Sequence, residues 1–127
     1  MKVEHVMPTS DAGFPIDLVA VATAATRAGP AWSYESTDLD MTLLSWTPPQ
    51  EITTHINDEV DVVLIGVIGT GEVTVDGEVY HLAPGQLLLI PKHAERSLRC
   101  LGERWSYLSL HQRRRGLWPT VGGAPPR

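Results

Sequence analysis

At 127 residues, with 43% hydrophobic and 20% charged side chains, the chain has the composition of one soluble globular domain with a single core. Its net charge of −5 excludes nonspecific binding to nucleic acid or anionic membranes, since phosphate repels an acidic surface. The lone cysteine, Cys100, excludes an intrachain disulfide, so stability rests on packing.

The opening MKVEHVMPTS carries Glu4 and Pro8 and lacks an apolar run. It does not read as a secretory signal, and the expected localisation is cytoplasmic. Residues 14–25 are interrupted by Asp17 and fall short of the roughly 18–20 residues that span a bilayer, so no membrane anchor is expected. Residues 17–27 are rich in alanine, begin after Pro15 and stop before Gly29-Pro30. That pattern predicts a helix of about three turns lying on one face of a barrel. Residues 32–34 and 41–46 read as strands around an acidic turn at 36–40, and Pro48-Pro49 closes the next turn.

In the strand that follows, period-two alternation puts Thr53, His55 and Asn57 on one face. Residues 60–68 are nearly continuous aliphatic sequence, the mark of a strand covered on both sides. Residues 69–91, GTGEVTVDGEVYHLAPGQLLLIP, alternate around an Asp76-Gly77 turn and a Pro84-Gly85 turn. With 97–100 and 105–111 the set comes to about eight to ten short strands, a spacing that predicts an all-β jelly roll or barrel. The expected division is an N-terminal extension and helix over 1–30, a barrel over 31–112 and a Gly/Pro-rich tail over 113–127. Arg113-Arg114-Arg115 reads as a solvated or salt-bridged strand end. Trp32, Trp46, Trp105 and Trp118 are more indole than a small barrel buries easily, which predicts a homodimer.

The stretch from Pro49 to Arg96 resembles the cupin superfamily. The family's first motif runs Gly, five residues, His-x-His, three or four residues, Glu, six residues, Gly. Pro49, His55, Asn57, Val62 and Gly69 hold those places here, and the shorter spacing puts Asp61 at the Glu and Ile68 at the last Gly. The second motif runs Gly, five residues, Pro-x-Gly, two residues, His, and is matched by Gly85, Pro91, His93 and Arg96. The resemblance implies a cupin-like jelly-roll β-barrel and, in family members, a divalent ion such as Zn, Fe, Mn or Ni held by the three His and the Glu. Of those four positions only His55 is an imidazole, so it is the candidate metal ligand. Asp58, Glu59, Asp61, His93 and His111 are further donors within reach of it in the pattern. Asn57 offers a neutral carbonyl oxygen, Val62 offers nothing, and Arg96 brings a permanent positive charge.

A guanidinium turned into a barrel keeps its proton and needs an anion. Glu59 or Asp61 is the natural internal partner, and a bound carboxylate, enolate or phosphate is the external one. The expected pocket is His55, Asn57, Glu59 and Arg96, and the expected function is binding of a small polar or anionic molecule with no certain cofactor. The rival reading is a metal-dependent cupin enzyme, a dioxygenase, isomerase or lyase acting on a small metabolite. A plain salt bridge at Arg96 and a core histidine at His55 are the structural alternatives. His81 and His93 read as surface residues.

Overall fold

The structure, a computed structural model, describes residues 15–48 and 51–113, with side chains for all of these except 51–55. Asp17 caps helix α1 (Leu18–Ala24), its Oδ1 accepting from the Ala20 N–H at 3.0 Å. The helix has seven residues and stops short of the three turns expected through Arg27. The chain turns extended at Ala25, with ψ of 131°. Arg104, arriving from a distant loop, donates from Nη1 to the Ala22 carbonyl and from Nη2 to the Ala25 carbonyl, both at 2.9 Å. A charged side chain thus satisfies carbonyls that a further helical turn would have used.

Nine strands follow among the described residues: β1 (Gly29–Glu35), β2 (Leu39–Trp46), β3 (Glu51–Ile56), β4 (Val62–Ile68), β5 (Gly71–Val75), β6 (Glu78–Leu82), β7 (Leu87–Ile90), β8 (Glu95–Cys100) and β9 (Trp105–Gln112). They form a five-stranded sheet in the order β1-β2-β9-β4-β7 and a four-stranded sheet in the order β3-β8-β5-β6. Every pairing is antiparallel. This is the all-β jelly roll that the strand spacing predicts.

The turns follow from residue chemistry. Asp76 and Gly77 have φ of 48° and 85°, the pair of positive values that a two-residue hairpin turn needs between β5 and β6. At Pro84-Gly85 the Gln86 N–H closes onto the Ala83 carbonyl at 3.1 Å, with Gly85 at φ 84°. Proline presets the first central angle, and glycine supplies the left-handed second one.

Alternation sorts the side chains into two apolar layers. On β4, Val62 and Leu64 are buried between the sheets, whereas Ile65 and Val67 pack outside against α1 and its neighbours. The strand is therefore covered on both sides, as its continuous aliphatic sequence predicts. The layer between the sheets includes Val73, Ile90, Leu98, Cys100 and Trp105, and the outer layer is built on Ala22, Leu43 and Leu108. Trp46 packs on the inner layer and Trp32 on the outer one, so three indoles find packing within one chain. Trp118, Pro49, Arg114 and Arg115 lie outside the described residues. Arg113 sits 3.6 Å from Glu35 at the end of β9, a salt-bridged strand end. No helix among the described residues is long and apolar enough to cross a membrane.

Two substitutions test what holds these layers. Arg104→Ala removes a charged donor from two part-buried carbonyls, and urea denaturation should show a loss of about 2 kcal/mol. A methyl group on Gly71 would collide with the fully buried Trp105 indole, so Gly71→Ala should destabilise by about 2 kcal/mol. The exposed control Glu103→Ala should stay within about 0.5 kcal/mol of wild type.

Candidate functional site

On β8, Leu98 and Cys100 are buried in the layer between the sheets, and Glu95 and Arg99 are exposed. Arg96 shares the parity of the buried pair, so it takes an inward register position, where it is half-buried. Its register partners are Val75 on β5 and His55 on β3. The side chains of His55 and Thr53 lie outside the described residues, and a register shift between Ile52 and His55 breaks the simple alternation of that strand.

Tyr107 on β9 is 3% exposed and lies within the electrostatic reach of Arg96. Burial pushes its hydroxyl up to about 12, against the lowering effects of a hydrogen bond from Trp46 and of the Arg96 charge. The Trp46 Nε1–H donates to the Tyr107 oxygen at 3.1 Å. Tyr107 also packs its ring against Trp105, with centroids 4.5 Å apart and planes tilted by 46°. At neutral pH it is an uncharged phenol whose oxygen already accepts a hydrogen bond and whose proton is available to donate.

Asn57 follows β3 directly. Its Oδ1 accepts from the Glu59 N–H at 2.9 Å and the Val60 N–H at 3.3 Å, and its backbone carbonyl accepts from the His93 N–H at 2.7 Å. The side chain therefore folds over the turn that leads into β4, against Val60 of the inner layer. Its Nδ2 is buried and has no hydrogen-bond partner among the described residues.

The acidic residues after Asn57 serve the loops. Asp61 accepts from the Lys92 N–H at 2.8 Å, and Asp58 lies 3.1 Å from His93 Nδ1. These exposed contacts pin the loop at 57–61 to the turn at 91–94, where His93 holds a φ of 77° that a side chain disfavours. Glu59 is exposed, and neither Glu59 nor Arg96 is without a partner. His81 is exposed and 3.8 Å from Glu72. His111 is half-buried, bonded through Nδ1 to the Gln112 carbonyl at 2.9 Å, and sits opposite Val62 in register.

This donor set does not fit the family's metal. Val62 is 1% exposed and carries no donor, Arg96 has no lone pair to give, and the Asn57 oxygen is already bonded to two backbone N–H groups. Among the described residues no three His, Cys, Asp or Glu side chains gather as a cation site. Tyr107 and Trp46 are site residues that sequence reasoning missed. The available signal was parity with Trp105 on a buried strand, because a buried tyrosine needs a partner for its hydroxyl.

A model of the Cupin domain matches residues 43–110, more than half of the chain. The chain belongs to the cupin family. No curated protein matches the sequence. Among solved structures, the cupin chain is similar to the conserved SPY1581 protein of unknown function from Streptococcus pyogenes, with 20% identity and a TM-score of 0.66, over 91% of this chain and 100% of that one. Protein NMB1881 from Neisseria meningitidis matches with 19% identity and a TM-score of 0.67, over 79% of this chain and 100% of that one. KdgF from Halomonas sp. matches with 24% identity and a TM-score of 0.61, over 65% and 76%. At these identities the likeness carries the cupin fold alone.

The buried phenol makes a pH prediction. Burial raises the folded-state value for Tyr107 to about 12, above the ordinary phenol value of 10.0, so its contribution to stability is full below pH 10 and is lost between pH 10 and 12. Urea unfolding at stepped alkaline pH should show a shallower loss in Tyr107→Phe than in wild type over that window.

Proposed function

We propose that this cupin binds a small organic anion between its two sheets, with Arg96 as the electrostatic anchor. The observation that carries the reading is a guanidinium on an inward register position within electrostatic reach of a buried tyrosine hydroxyl. The arginine stands where the second cupin motif has a metal-binding histidine, so a fixed side-chain charge occupies a place that the family gives to a metal ligand. Its planar fork suits the paired oxygens of a carboxylate or phosphate.

A thermal-shift screen of small carboxylates and inorganic phosphate tests this. At least one anion should raise the melting temperature of the wild type, and Arg96→Met should abolish that rise. Removing the guanidinium from its half-buried position should also lower the ligand-free stability by about 2 kcal/mol. Arg96→Lys should keep the charge but lose the two-point fork, weakening the same anion about tenfold. If no anion stabilises the wild type and Arg96→Met melts unchanged, the reading is wrong.

The homodimer expected from the sequence belongs to the same proposal. It is supported by Leu87 and Leu89, 61% and 51% exposed on β7 at the edge of the five-stranded sheet. Light scattering that gives the single-chain mass at every concentration would contradict it.

A further inference from the structure

We propose that the site selects anions whose remaining polar atoms are acceptors, the class of 2-oxo carboxylates, through two neutral donors on the elements around Arg96: the Asn57 side-chain amide, at the end of the strand paired with β8, and the Tyr107 hydroxyl on β9. This rests on the reading of Arg96 as the anion anchor. The two side chains come from different parts of the fold. Asn57 lies over Val60 of the inner layer, joined through its carbonyl to His93 three residues before Arg96. Tyr107 lies on the other sheet, within reach of the Arg96 charge.

The Asn57 oxygen has used its acceptor capacity, the Tyr107 oxygen has used part of its own, and both groups retain hydrogens. The Asn57 oxygen takes the Glu59 and Val60 N–H groups, and the Tyr107 oxygen takes the Trp46 indole N–H. The Asn57 Nδ2 is buried and has no partner among the described residues, the kind of orphan donor that folding tolerates poorly unless something accepts from it. Burial holds the Tyr107 proton in place well above neutral pH, so the hydroxyl remains a donor under ordinary conditions. A carboxylate on Arg96 that also carries a ketone oxygen gives these hydrogens an acceptor. An ammonium at the same position brings more hydrogens and a positive charge toward a guanidinium. The neighbouring donors are therefore a polarity filter added to the anchor.

Pyruvate and L-alanine share a three-carbon carboxylate skeleton and differ at the second carbon, ketone against ammonium. Titration calorimetry on the full chain should find pyruvate bound at least about tenfold more tightly than alanine, the factor expected from about one good hydrogen bond. Tyr107→Phe, which is uncharged, should shrink that ratio several-fold. Asn57→Asp keeps an oxygen for the Glu59 and Val60 N–H groups but exchanges the amide donor for a second oxygen, and should collapse the ratio or turn it toward alanine. Because each readout is a ratio between two ligands, a general loss of affinity in a variant leaves it unaffected. Equal binding of both ligands by the wild type, with both lost in Arg96→Met, would overturn this inference and leave the anion anchor standing. Failure of the wild type to bind pyruvate would overturn it as well, while stabilisation by other anions through Arg96 would keep the broader reading.

Discussion

The contact between Gly71 and Trp105 sets the frame in which everything else sits. Trp105 is completely buried between the sheets, and its indole lies so close to the Gly71 backbone that no side chain fits there. A large aromatic filling a gap left by a glycine makes that part of the sandwich solid. Its ring also contacts Tyr107, two residues further along β9 on the same face. Tyr107 in turn meets Trp46 and feels Arg96. A line of contacts thus runs from a closed apolar core to Tyr107, which lies within electrostatic reach of the guanidinium on the inward face of β8. The charge is held at the margin of that core, where it is half-buried, and does not intrude on its centre.

Two loops complete this margin. The segment at 57–61 and the turn at 91–94 are tied by three contacts: His93 N–H to the Asn57 carbonyl, Lys92 N–H to Asp61, and the His93 ring to Asp58. The ring contact is between exposed side chains and contributes little by itself. The backbone contacts matter more, because they hold Asn57 in place and keep His93 at a positive φ that an isolated histidine would leave. Local strain is accepted where it fixes the entrance to β4 against the entrance to β8. In this cupin the carboxylates nearest the family's metal position have been recruited as loop fasteners.

The fold was largely legible in the residues. Asp76-Gly77 and Pro84-Gly85 specify their turns by backbone angles that few other residues adopt, and strict alternation on β5 leaves only one face for the core. The length of α1 was not legible. Alanine-rich sequence through residue 25 favours a longer helix, and it is Arg104, 79 residues away from Ala25, that meets its carbonyls and ends it. A contact between residues so distant in the chain leaves no trace in local propensity.

The site divides along the same line. From the sequence alone came the jelly-roll class, the replacement of metal ligands at Asn57, Val62 and Arg96, and the demand that an inward arginine find an anion. The first and last are properties of residue type and strand parity, which are local, and the second is what the resemblance to the cupin motifs implies. Only the tertiary structure decided that Asp58 and Asp61 bind the neighbouring turn, that among the described residues the Asn57 oxygen has partners while its nitrogen has none, and that Tyr107 accepts from Trp46 within electrostatic reach of the arginine. Each of these depends on which strand lies across the barrel from which. Strand order is a consequence of global packing, and no window of sequence contains it.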